Sequence, residues 1–228
     1  MSEWWSYTLS DFLMFSPRTY YRLFELYNLA IWPWQFLAIV LGLCVLALWL
    51  RGRRSHGRTI AVLLATCWLW VAWAYLFVRF DTINWAARYF AAGFAAEAML
   101  LIWSGLVRDR LRMQRESWNA AKVSGLGLFG FALFAWPLIG LTAGRPIEQA
   151  EIFGIAPDPT VVATLGILLG AERMRWELLI IPLAWCVISA STLWTMHAPD
   201  FFLPLAAAGL AIAIGIWTAV LASARPSR

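Results

Sequence analysis

Two acidic residues stand where acids are costly. Glu97 lies in the middle of an apolar run over residues 83–107. A charged carboxylate at bilayer depth costs a few kcal/mol or more, and such acids concentrate at proton and ion sites. Two readings stay open: a proton or cation site facing a cavity, or a hydrogen-bonded side chain that fixes helix packing. Asp158 sits in the stretch Ile152-Phe-Gly-Ile-Ala-Pro-Asp-Pro-Thr160, which leads into a short apolar run. The amide donors and dipole at a helix N-terminus attract an anion. Asp158 can fill that place as a cap, with the Thr160 hydroxyl beside it. Either this broken segment lines a site from the outer face, or it is a capped loop packed on the bundle. Asp81 lies near Arg88, and the pair is expected to be structural. The candidate pocket therefore comprises Glu97, Asp158, Thr160 and Asp81.

Other reactive residue types give less. Cys44, Cys67 and Cys186 all fall inside apolar runs without a CxxC pair, so packing is favoured over a soft-metal site. The histidines His56 and His197 lie in separate connections, and no pair is placed to ligate a metal or haem. Lys122 is the sole lysine among 18 basic residues and lies at a span end, unsuited to a mid-bundle Schiff base. No HExxH, GxSxG, phosphate-loop or dinucleotide pattern occurs. We expect no enzyme, no cofactor and no bound metal.

The elements that must position these residues are transmembrane helices. Of 228 residues, 62% are hydrophobic and 14% charged, against about 25% charged in soluble domains. That balance excludes a soluble globule, a nucleic-acid module and a disordered tail. Apolar runs fall near 33–50, 59–79, 83–107, 123–143, 158–171, 176–196 and 201–223, and a span needs about 20 residues. The expected fold is an all-α transmembrane bundle of about seven spans. The fifth run is short, because Pro157 and Pro159 exclude a helix interior there. Its helix should start near Asp158 or Thr160 and reach only roughly 20 Å at 1.5 Å per residue. Whether that segment spans fully or re-enters stays open.

Arginines sort onto one set of connections: Arg51, Arg53, Arg54 and Arg58, then Arg108, Arg110, Arg112 and Arg115, then Arg173 and Arg175, then Arg225 and Arg228. The positive-inside rule then puts the N-terminus outside and the C-terminus inside. The net charge of +5 follows from these loops and needs no nucleic-acid partner. Residues 1–32 read as an interfacial segment: Ser16-Pro17 starts a helix with Tyr20, Leu23, Phe24 and Tyr27 on one face and Arg18, Arg22 and Glu25 on another. Residues 33–223 form the bundle and 224–228 a cytoplasmic tail. Small residues crowd the third and seventh runs, which marks those helices as central. Pro182 is expected to kink the sixth span. Of the 16 tryptophans, Trp32, Trp34, Trp49, Trp103, Trp118, Trp176 and Trp194 fit an interfacial belt. Trp68, Trp70, Trp73, Trp136 and Trp185 lie within spans, where helix packing and lipid contact are favoured over stacking on a pigment.

Several stretches together carry a resemblance: Phe15-Ser-Pro17, Tyr27-Asn-Leu-Ala-Ile-Trp-Pro-Trp-Gln35, Trp68-Leu-Trp-Val-Ala-Trp-Ala-Tyr75, Ile83-Asn84, and Ile152–Thr160 with Thr164-Leu-Gly-Ile-Leu-Leu169. The chain resembles a family of small multi-spanning bacterial inner-membrane proteins of unassigned function, over nearly its whole length. The family pattern often has a cysteine between the two prolines, where this chain has Asp158. That departure argues against a thiol or soft-metal role. The resemblance implies an inner-membrane bundle, and some members carry a permease-type label. The expected function is a permease-like or ligand-binding bundle of unknown substrate. The alternative is a structural accessory subunit of a larger membrane complex. The expected partners are the lipid bilayer and other membrane subunits.

Overall fold

The computed structural model describes residues 15–53, 55–113 and 118–223. Arg54, Arg115, residues 1–14 of the N-terminal segment and the tail at 224–228 lie outside them. All regular structure among the described residues is helical apart from one isolated bridge. The helices are α1 (Pro17–Ala30), α2 (Trp34–Arg51), α3 (His56–Trp70), α4 (Ala87–Leu101), α5 (Ala120–Gly130), α6 (Trp136–Thr142), α7 (Pro157–Leu169), α8 (Ile180–Thr195) and α9 (Phe202–Ser223). Wider π turns extend α3 over Val71–Phe77 and α4 over Ile102–Val107, and join α5 to α6 over Phe131–Ala135. The last of these is where Pro137 would otherwise clash with a carbonyl one turn back. Six of the resulting rods are long and apolar enough to cross a membrane.

The core is α7. All 13 of its residues are buried, although the helix is too short to count among the six. An all-round apolar sequence fits burial in protein as well as in lipid. Here α3, α5, α8 and α9 pack around it. Two glycines set its closest approach: a Cβ on Gly166 would lie 2.5 Å from the Gly125 carbonyl oxygen, and one on Gly125 would lie 2.4 Å from that of Gly166. Helix α9 was expected to be central, yet only 28% of its apolar window is buried. Its small face, Ala207, Ala208 and Ala211, lies buried, and the rest of the helix faces outward.

Other expectations are corrected. Both prolines of the α7 start fit its first turn, where no intrahelical donor is needed, so the helix begins at Pro157. Pro182 is likewise in the first turn of α8 and kinks no interior. Trp49 is fully buried, packed on Gly170 and Phe129, and is no belt residue. The remaining predicted belt tryptophans are exposed. Helix α1 has the predicted cap, Ser16 Oγ accepting from Thr19 N. Its apolar face lies on protein rather than on lipid: Phe24 stacks on Tyr75 at 4.7 Å, and Tyr20, Tyr75 and Phe80 form one aromatic cluster.

The connections gather at two ends. At one, Arg58 pairs with Asp109, His56 Nδ1 bonds the Leu48 carbonyl, and Glu172 N donates to the Arg112 carbonyl. At the other, α1 meets the 145–155 loop and Arg145 pairs with Asp200.

Candidate functional site

The loop from Arg145 to Ala156 folds under α1 and carries the chain to the start of α7. Its backbone is held by side chains. Asn28 Nδ2 donates to the carbonyls of Glu148 and Ala150, Tyr27 Oη donates to that of Ile155 at 3.1 Å, and Gln35 Nε2 donates to Asn28 O. Gly154 has φ +81°, a left-handed turn that favours glycine, and a Cβ there would sit tight against Cys67 Sγ at 3.1 Å. Thr160 Oγ1 accepts from Gly154 N at 2.9 Å and donates to the Ala156 carbonyl at 2.7 Å. Thr160 therefore locks the turn.

Asp158 does not cap α7; the cap position is Ala156 and no side chain bonds there. Its carboxylate points toward α8 instead. Oδ1 accepts from Trp185 Nε1 and Oδ2 from Ser189 Oγ, each at 2.6 Å. Those residues are four apart and share one helical face. Trp185 is steadied by edge contacts with Phe90 and Phe94. Phe94 lies 4.3 Å from Trp68, whose Nε1 donates to Thr164 Oγ1 on α7. Trp68 and Trp185 are thus packing residues with a polar task.

Sequence reasoning missed Glu151. It is buried beneath α1, with Oε2 3.3 Å from Trp136 Nε1 as acceptor. Burial, reinforced by the negative charges of Asp158 and Asp200 and opposed by Arg145, pushes its carboxyl up to about 8. Arg145 also missed notice. Its Nη2 donates to Asp200 Oδ2 at 2.6 Å, and its guanidinium covers the Tyr21 ring at 4.2 Å. Three carboxylates, Glu151, Asp158 and Asp200, therefore share this half of the bundle with one partly buried arginine. The signal available in the sequence was a run of charged residues in a connection, which reads equally as a solvated loop.

Of the predicted pocket residues, Asp158 and Thr160 meet in the first turn of α7. Glu97 is fully buried on α4, and among the described residues neither of its carboxylate oxygens has a hydrogen-bond partner. Asp81 holds Arg88 through both oxygens at 2.9–3.0 Å, as expected of a structural pair, and lines an open hollow of about 520 Å³ with Asn84, Trp85 and Tyr89. The three cysteines do not converge: Cys44 is exposed and the others are buried. Among the described residues no cluster of His, Cys, Asp and Glu is arranged for a metal ion.

The comparison with family models matches residues 18–225 to DUF6064, a family of unknown function. The chain belongs to that family. No curated protein and no solved structure matches it. In this DUF6064 member, two of the stretches that carried the resemblance contribute to the site: Tyr27 and Asn28 hold the loop, Phe153 and Gly154 make its turn, and Asp158 and Thr160 fix the start of α7.

Proposed function

We propose that this is an integral inner-membrane protein that crosses the bilayer seven times, N-terminus outside, and that its outer half carries the proton-binding centre of a permease-like bundle. The carrying observation is Asp158: a carboxylate in the first turn of a wholly buried helix, bonded among the described residues by Trp185 and Ser189 alone. Glu151 lies near enough for the two charges to oppose one another. Two acids that resist joint ionisation in a low-dielectric setting share protons readily. Burial of Asp158 and Glu151 leaves space at their oxygens for a proton, whereas a larger solute requires the loop and α1 to move. Arg145 with Asp200 sets the charge at the outer side. Helix α7 supports the seventh crossing, since its start lies with the α1-side loop and Ala171, two residues past its end, pairs with Met113 at the opposite end.

The test is proton flux in proteoliposomes under an imposed potential, read with a pH dye in the lumen. Asp158→Asn and Glu151→Gln are each expected to slow the flux at least tenfold, with Glu97→Gln showing whether the separate acid participates. Wild-type flux in both Asp158→Asn and Glu151→Gln removes the reading. A second reading, an accessory subunit of a larger complex, is favoured by one feature. An apolar groove of about 420 Å³, lined by Leu29, Trp32, Phe36, Ile39 and Ile147, opens beside the half-exposed α2. Native mass measurement after gentle solubilisation separates the two, because a lone monomer counts against the accessory role.

A further inference from the structure

The arginine-rich end is a built cavity rather than a fringe of loops. Two connections about 60 positions apart in the chain are stitched together there: Met113 and Ala171 form an antiparallel bridge, and Glu172 N donates to the Arg112 carbonyl at 2.7 Å. Arg175 adds a side-chain clamp, its Nε and Nη2 both donating to the Arg110 carbonyl. The stitched segments flank an open polar cavity of about 370 Å³ lined by Arg108, Arg110, Arg112, Arg173 and Arg175 with Asp109 and Glu172. Asp109 is already occupied by Arg58 and Arg112. Arg110 and Arg173 have no side-chain hydrogen bond or ion pair within the described structure, and Arg108 has only the Trp103 ring, 4.8 Å from its guanidinium. Trp103 and Trp176 are both exposed at this level, the height at which indoles meet lipid headgroups.

We propose that this cavity binds a phosphate oxyanion, and specifically the headgroup phosphate of an anionic lipid in the inner leaflet. Guanidinium forks match phosphate oxygens in geometry and charge, and basic pockets between helices on the cytoplasmic side suit such headgroups. The lining carries five guanidiniums against two carboxylates, a local excess of positive charge that attracts an anion. The flanking indoles place it beside lipid rather than in bulk water, which favours a lipid phosphate over a free one. The inference requires the bundle to lie in a bilayer and is independent of proton binding at Asp158: loss of flux in Asp158→Asn leaves it standing.

The experiment uses the full chain in nanodiscs of phosphatidylcholine, with or without phosphatidylglycerol, and a separate arm with millimolar inorganic phosphate. Thermal unfolding and native mass spectrometry are the readouts. Wild type is expected to gain thermal stability and retain bound lipid with phosphatidylglycerol alone. Each guanidinium removed should weaken retention about fivefold, so Arg110→Gln with Arg173→Gln loses most of it. Both side chains are exposed, so the double variant should keep the wild-type midpoint in phosphatidylcholine. Arg18→Gln, at the other end, should behave as wild type. Unchanged phosphatidylglycerol retention in the double variant overturns the proposal, as does stabilisation by inorganic phosphate equal to that by the lipid.

Discussion

Replacing Gly166 with alanine probes the contact on which the placement of α7 rests. The new Cβ would meet the Gly125 oxygen at 2.5 Å and Phe129 N at 2.9 Å. Ordinary contact needs roughly 1 Å more, and both obstructing atoms are backbone, so neither can rotate away. Forcing an extra carbon into a packed core costs about 1–3 kcal/mol. Alanine also gains up to about 1 kcal/mol over glycine in helix propensity, so a control must carry the same gain. Gly93 supplies it: a Cβ there meets nothing within 4 Å. Gly93→Ala should therefore be neutral to stabilising, and Gly166→Ala should lie about 1–3 kcal/mol below it. At about 2–4 °C per kcal/mol for a chain of this size, the two midpoints should differ by about 2–12 °C. Tryptophan fluorescence during heating in detergent reads this directly, because Trp49 and Trp68 are buried against α7 and its neighbours. Equal midpoints for the two variants would refute the close α5–α7 approach.

Glu151 predicts a pH dependence. Its folded-state carboxyl is raised from 4.5 to about 8, so the native state holds a proton that the unfolded chain has released. Its contribution is full below about 4.5 and is lost as pH rises through about 8; Glu151→Gln should flatten that part of the midpoint-against-pH curve, and an unchanged curve contradicts the burial. The Arg145–Asp200 pair is partly buried on both sides, so Arg145→Ala alone should cost about 1–3 kcal/mol, the loss of a half-screened charged hydrogen bond. The double replacement with Asp200→Ala should cost less than the sum of the single ones, and additivity in the cycle would show that the pair is uncoupled. Removing the α1 cap with Ser16→Ala should cost about 1 kcal/mol locally, seen as faster hydrogen exchange over residues 17–22 with the global midpoint little changed.

The six long helices were legible because runs of about 20 apolar residues, the length a bilayer crossing demands, become helices of that size. The shortness of α7 was legible too, from Pro157 and Pro159. Its central position was not, since a helix apolar all round looks the same whether lipid or protein surrounds it. The small residues of α9 were ambiguous for the same reason, marking a close contact but not how many sides are covered. Trp49 stands near a span end, and only the packing of Gly170 shows that it turns inward. Asp158 was identified as a functional candidate, but its partners Trp185 and Ser189 lie 27 and 31 residues away, beyond any local pattern. Glu151 and Arg145 read as loop charges because the fold of α1 over them is a tertiary event. The pairing of Met113 with Ala171 had no local signal either.

The proposed seventh crossing requires the buried 157–169 segment to carry the chain from one face of the membrane to the other. Single cysteines at Glu148 and Arg173, both exposed, flank that segment and test it with a membrane-impermeant maleimide on spheroplasts, with Cys44→Ser lowering the background. Glu148→Cys should label from outside, and Arg173→Cys only after the membrane is opened. Labelling of both positions from the same side would contradict it.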